Sequence, residues 1–142
     1  MSVPQTITFI TLGSRDVPVL RAFYAGWGWR ELPGGEADFA QYDMGGVRLA
    51  LYSLELLRAE ASPDCLPPEP GRWSGITLAV NVGSREAVDA AYDAAVQASA
   101  RIIARPVDRE WGGYSGYLAD PEGNRWEIAW LPGFTPLSPD SA

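Results

Sequence analysis

ITFITLGSRD (7–16) and GITLAVNVGSRE (75–86) decide the fold. Each is an alternating apolar run, then Gly-Ser-Arg and an acid, then an amphipathic stretch. The Gly-Ser-Arg-Asp of 13–16 recurs as Gly-Ser-Arg-Glu at 83–86. Two strand–turn–helix openings in one chain point to a duplicated unit. The first helix is expected from Asp16 to about Trp27, with Pro18 tolerated in its first turn. Its apolar stripe is Val17, Leu20 and Phe23 or Tyr24. The second is expected from Ser84, a good N-cap, to about Ala100, with Val88, Ala91, Ala95 and Ala98 on its buried side.

Short strands should follow each helix. In the first half they are Arg30–Leu32, Asp38–Asp43 and Val47–Tyr52, with Met44-Gly45-Gly46 as a turn. In the second half they are Arg101–Ala104, Tyr114–Ala119 and Arg125–Trp130, with a strong turn at Asp120-Pro121-Glu122-Gly123-Asn124. The expected order is βαβββ, linker, βαβββ: an α+β fold in which two modules form a curved mixed sheet around a central cavity, helices outside. The boundaries are about 6–58 for module one, 59–72 for a linker with four prolines, and 73–131 for module two. An irregular tail runs over 132–142. All of this fits one domain of 142 residues.

Composition removes several functions. There is no histidine, so His-based acid–base catalysis and His-ligated metals are excluded. The net charge is −7 and the eleven basic residues are scattered, which does not suit a nucleic-acid backbone. No apolar run is long enough to span a bilayer, and the N-terminus lacks a signal-peptide pattern. The lone Cys65 suits a reducing compartment, so a cytoplasmic location is expected.

Strand alternation assigns each side chain to a face. Ile10, Leu12, Val47, Leu49, Leu51, Leu78, Val80, Val82, Trp126, Ile128 and Trp130 are expected to face the helices. Ile7, Phe9, Thr11, Arg48, Ala50, Tyr52, Thr77, Ala79, Asn81, Arg125, Glu127 and Ala129 are expected on the opposite face. The polar members of that face suit a pocket, although a solvated sheet face shows the same pattern.

TLGSRDVPVLRAFYAGWGWRE (11–31) and WGGYSGYLADPEGNRWEIAW (111–130) resemble the opening of the first module and the closing strands of the second in the vicinal oxygen chelate superfamily. That superfamily includes glyoxalase I, the bleomycin-resistance proteins and the extradiol dioxygenases. The resemblance covers about residues 6–132. It implies four metal-ligand positions, two on the first strands and two on the last. Counting seven residues back from Asp16 and Glu86 gives Phe9 and Ala79, with Thr77 as the alternative to Ala79. Matching GGVRLAL (45–51) to EGNRWEI (122–128) gives Ala50 and Glu127. Only Glu127 of Phe9, Ala50, Ala79 and Glu127 can ligate a metal, and one carboxylate does not make a transition-metal site. No metal and no cofactor are therefore expected.

Two readings of different kinds follow, and a third stands beside them. The first is a metal-free protein that binds a small aromatic or antibiotic-like molecule without chemistry. Phe9, Arg48, Tyr52, Thr77, Asn81, Trp111, Tyr114 and Tyr117 are its ligand-binding candidates, with Trp73 a further aromatic. The second is a metal-independent isomerase or lyase with Glu127 as general base and Arg48 or Arg125 holding a substrate anion. The third is a structural or partner-binding domain whose hollow Phe9 has filled. The resemblance also implies a homodimer.

Overall fold

The computed structural model describes residues 1–135. The part of the expected irregular tail at 136–142 lies outside them. The elements are β1 (Phe9–Ser14), α1 (Val17–Gly26), β2 (Phe39–Asp43), β3 (Arg48–Ser53), α2 (Leu54–Ala61), β4 (Thr77–Asn81), α3 (Arg85–Gln97), β5 (Arg101–Asp108), β6 (Tyr114–Ala119) and β7 (Arg125–Trp130). The strands form a three-stranded sheet, β1-β3-β2, and a four-stranded sheet, β4-β7-β6-β5. In each, the first strand lies at an edge, parallel to the last, and the remaining pairs are antiparallel. The α+β class and the repeated strand–helix opening are as the sequence indicates.

The chain divides into two compact units. The first holds Met1–Arg21 and Trp29–Pro67. Of the described residues, the second holds Ala22–Gly28 and 68–135.

In the first unit, Leu49 and Leu51 of β3 are buried, as are Ala40 and Tyr42 of β2. The expected strand at Arg30–Leu32 does not form. Leu32 donates one backbone bond to the Gln41 carbonyl, and Pro33, with no N–H to give, follows it. A helix the sequence reading did not foresee, α2, stands where the linker was expected to begin. The Ser53 hydroxyl accepts from the Leu56 N–H and starts it. It meets β1 at Gly13, where a Cβ would lie 2.7 Å from a Leu54 methyl.

In the second unit, α3 is capped by Ser84, whose hydroxyl accepts from the Ala87 N–H at 3.0 Å. It packs on β5, β6 and β7 through Val88, Tyr92 and Ala95. Tyr92 replaces the expected Ala91 as the central contact. Its hydroxyl lies 3.1 Å from the carbonyls of both Ala104 and Tyr117, which tie helix to sheet. β5 runs four residues beyond the expected Ala104, through Pro106, because it is an edge strand with irregular register.

A buried polar relay holds the end of α1 in this second unit. Tyr24 donates to the Asp120 carboxyl, and the Trp126 indole N–H donates to the Tyr24 hydroxyl at 2.9 Å. Asp120 is 3% exposed. It also accepts from the backbone N–H groups of Glu122 and Asn124 and from the Asn124 side-chain amide. The expected turn at 120–124 is thus built on the Asp120 side chain. Phe23, Tyr24, Trp27 and Trp126 pack edge to face around it.

Candidate functional site

The second unit gathers its candidate residues on one face of the β4-β7-β6 ladder. Ala79 and Glu127 are paired across β4 and β7, and Tyr117 pairs with Glu127 from β6. Thr77 pairs with Arg125 and Asn81 with Ala129. Thr77, Ala79 and Asn81 are all exposed, while Leu78 and Val80 are half-buried on the other side, as the alternation indicates. Glu127 thus stands between a methyl group and a phenol. Burial first, and the neighbouring Glu127 carboxylate second, hold the Tyr117 phenol above its ordinary pKa. Arg125 turns away to the Gly123 carbonyl at 2.7 Å, which leaves it serving the turn.

Arg109, which the sequence reading did not single out, stacks on the Tyr117 ring with its guanidinium carbon 5.3 Å from the centroid. Its Nε and Nη2 donate to the Ser115 hydroxyl and carbonyl at 3.0 and 2.9 Å. Ser115 is fully buried. Strand parity from Tyr117 would have found Ser115. Nothing in the periodicity finds Arg109, because it is placed by a turn in which its N–H bonds the Gly113 carbonyl.

Tyr114 goes to the opposite face of β6 from Tyr117, since three residues separate them. It pairs with Trp130 and donates to Asp89 of α3 at 2.6 Å. Arg85 stacks over both rings. Trp111 is exposed in the β5–β6 loop and lies against Gly113, where a Cβ would sit 1.8 Å from the indole. Trp73 is exposed and donates to the Ile76 carbonyl at 3.0 Å. The structure therefore places Thr77, Asn81, Tyr117 and Glu127 on one face, and Tyr114 away from them.

In the first unit the candidates share a face of β1-β3-β2. Phe9 pairs with Arg48 and Thr11 with Ala50. The Arg48 guanidinium lies 6.0 Å from the Phe9 centroid and donates to the Gln41 side chain at 3.0 Å. Gln41 is the ladder partner of Ala50, so that bond runs past the Ala50 methyl, which is 0% exposed. Tyr52 packs on Phe39 and donates to Glu60 of α2. Phe9 is 45% exposed.

The two ladders also relate the units residue by residue. The Phe9–Arg48 pair corresponds to Thr77–Arg125, and Thr11–Ala50 to Ala79–Glu127, when the matched segments GGVRLAL and EGNRWEI are aligned. In that register the first-strand partners of Ala50 and Glu127 are Thr11 and Ala79.

A family model for the Glyoxalase/Bleomycin resistance protein/Dioxygenase superfamily matches residues 6–128. The chain belongs to this superfamily. Among solved structures, a glyoxalase-related enzyme from Fulvimarina pelagi is 28% identical with a TM-score of 0.82, over 98% of this chain and 96% of that one. A glyoxalase/bleomycin resistance protein/dioxygenase from Nocardioides is 26% identical with a TM-score of 0.79, over 97% and 91%. A lactoylglutathione lyase from Agrobacterium tumefaciens shares the fold at 22% identity, with a TM-score of 0.70 over 94% and 100%. Comparison with curated proteins gives no match.

Metal-dependent members of this superfamily need three or four donors around one ion. The donor set here does not fit that requirement. Glu127 has an alanine and a tyrosine as ladder neighbours, and its counterpart in the first unit is Ala50. Among the described residues no three His, Cys, Asp or Glu side chains come together in a group able to hold a metal ion. No helix among them is long and apolar enough to cross a membrane.

Proposed function

We propose that this superfamily member binds a small aromatic molecule without a metal, on the face that carries Ala79, Tyr117 and Glu127. One observation carries the reading. The position that would supply a metal ligand beside Glu127 is a methyl group, while the other flank is the Tyr117 ring, with the Arg109 guanidinium stacked on it. Such a surface offers stacking and one hydrogen-bonding end rather than a coordination sphere. The test is thermal denaturation with a panel of planar aromatic compounds. A ligand that binds only the native state raises the melting temperature with its concentration. A concentration-dependent rise without turnover supports the proposal. Loss of that rise on adding a chelator, restored by a transition metal, defeats it.

The place of Glu127, half-buried opposite the Tyr117 phenol, also favours a second reading, a metal-independent isomerase or lyase with Glu127 as general base. Turnover of a bound compound that disappears in Glu127→Gln would replace the first reading with this one. The exposure of Phe9 argues against a domain whose hollow is plugged by that side chain.

The proposal includes a homodimer. β1 and β4 each have a partner strand on one side only among the described residues. Ile7 and Ile76, just before them, are 63% and 62% exposed. Open edges with apolar side chains are surfaces that a second copy can cover. Sedimentation equilibrium showing a monomer at micromolar concentration would remove this part.

A further inference from the structure

We infer that the ligand is an aromatic carboxylate whose acid group is received by Arg109. This rests on the reading that the Tyr117–Glu127 face binds an aromatic molecule, and it names the chemical class. A guanidinium has five N–H donors in one plane. Here Nε and one Nη2 hydrogen are spent on Ser115, which fixes the plane against the Tyr117 ring. Among the described residues the contacts of this guanidinium are to Ser115 and Tyr117, with no carboxylate among them.

That lack is informative because acids outnumber bases in this chain. The chain has eighteen Asp and Glu against eleven Lys and Arg. Asp108, next to Arg109 in sequence, pairs with Arg85 instead. Glu127, on the same face, is paired across the ladder with Tyr117. Arg21 elsewhere pairs with Glu31. Arg109 is thus a partly buried cation, held rigid by a fully buried serine, with no ion pair to a carboxylate among the described residues. The remaining donors of its planar fork match the two oxygens of a carboxylate. An aromatic body joined to that carboxylate would have the Tyr117 ring beside it and Ala79 beyond.

The experiment uses the whole chain, labelled with nitrogen-15, titrated at constant ionic strength with 2-naphthoate and with its neutral isostere 2-naphthamide. The expected result is that naphthoate binds about tenfold tighter or more, the scale of a charge-assisted hydrogen bond, with shifts at Ser115 and Tyr117. In Arg109→Met the two compounds should bind alike. In Arg109→Lys, which keeps the charge but loses the fork, the preference should be intermediate. Equal affinities in the wild type, or a preference that survives in Arg109→Met, overturn the inference. Should Arg109→Met fail to fold, the wild-type comparison decides alone. Naphthamide shifting Tyr117 with no advantage for the acid would sink the role of Arg109 and leave aromatic binding standing. If neither compound shifts Tyr117, both fall.

Discussion

Tyr117 and Glu127 are directly opposed across the β6–β7 ladder. The pairing has two separable consequences. Glu127→Gln keeps the shape and removes only the charge, so the fold should change little, by about 0.5 kcal/mol or less. Tyr117→Leu removes the ring that Arg109 stacks on. Binding of an aromatic ligand, measured by calorimetry, should therefore fall about tenfold in Tyr117→Leu and by less in Glu127→Gln. The reverse order would mean that the carboxylate is the main ligand contact.

The Tyr24 hydroxyl serves two partners at once, donating to Asp120 and accepting from Trp126. Tyr24→Phe should leave a buried carboxyl and a buried indole N–H each short of a partner. A loss of about 1–3 kcal/mol is expected, read as a lower urea midpoint with an unchanged slope. Trp126→Phe in the same background should then cost less than it does in the wild type, because the indole bond is already gone.

Burial pushes the Asp120 carboxyl above the ordinary value of 3.8, and the bonds from Tyr24, Asn124 and Glu122 only partly pull it back. An acid with a raised pKa binds its proton more tightly when folded than when unfolded. Its contribution to stability is therefore fully present below the unfolded pKa and is lost as pH rises through the folded one. Other carboxylates titrate in the same range, so the quantity to measure is the wild type minus Asp120→Asn. That difference, from urea midpoints between pH 3 and 7, should shift against the wild type as pH rises. A flat difference would show that the four donors fully offset burial.

Gly116 sits where α3 meets the sheet. A Cβ there would lie 2.8 Å from the Tyr92 ring and 2.9 Å from the Pro106 nitrogen. The nitrogen is backbone and cannot swing aside. Gly116→Ala should cost about 1–3 kcal/mol from overpacking, seen as a lower melting temperature. Gly13→Ala meets a Leu54 methyl instead, and the flexible leucine should make that change cheaper.

Much of the architecture was legible because period-two and period-3.6 patterns are strong in β1, β4, α1 and α3. The face assignments for Thr77, Ala79 and Asn81 followed from alternation alone. Helix α2 was not legible. Its eight residues bury none of their side chains fully, and the prolines that follow suggested a linker. The Arg30–Leu32 strand was overread because propensity does not register that Pro33 cannot extend a ladder. Tyr114 was grouped with Tyr117 by residue type, whereas the pleat sends residues three apart to opposite sides. Arg109 was invisible for a different reason. Its place depends on how a loop closes, and no periodicity reports that.

The end of α1 belongs with residues far along the chain, and this bears on how the protein could be cut. Cleavage within the prolines between α2 and β4 would look natural from the sequence. A fragment beginning there would lack Tyr24, so its Asp120 and Trp126 would lose the phenol that joins them. The later half should then fold poorly by itself and recover when the earlier half is supplied as a separate peptide.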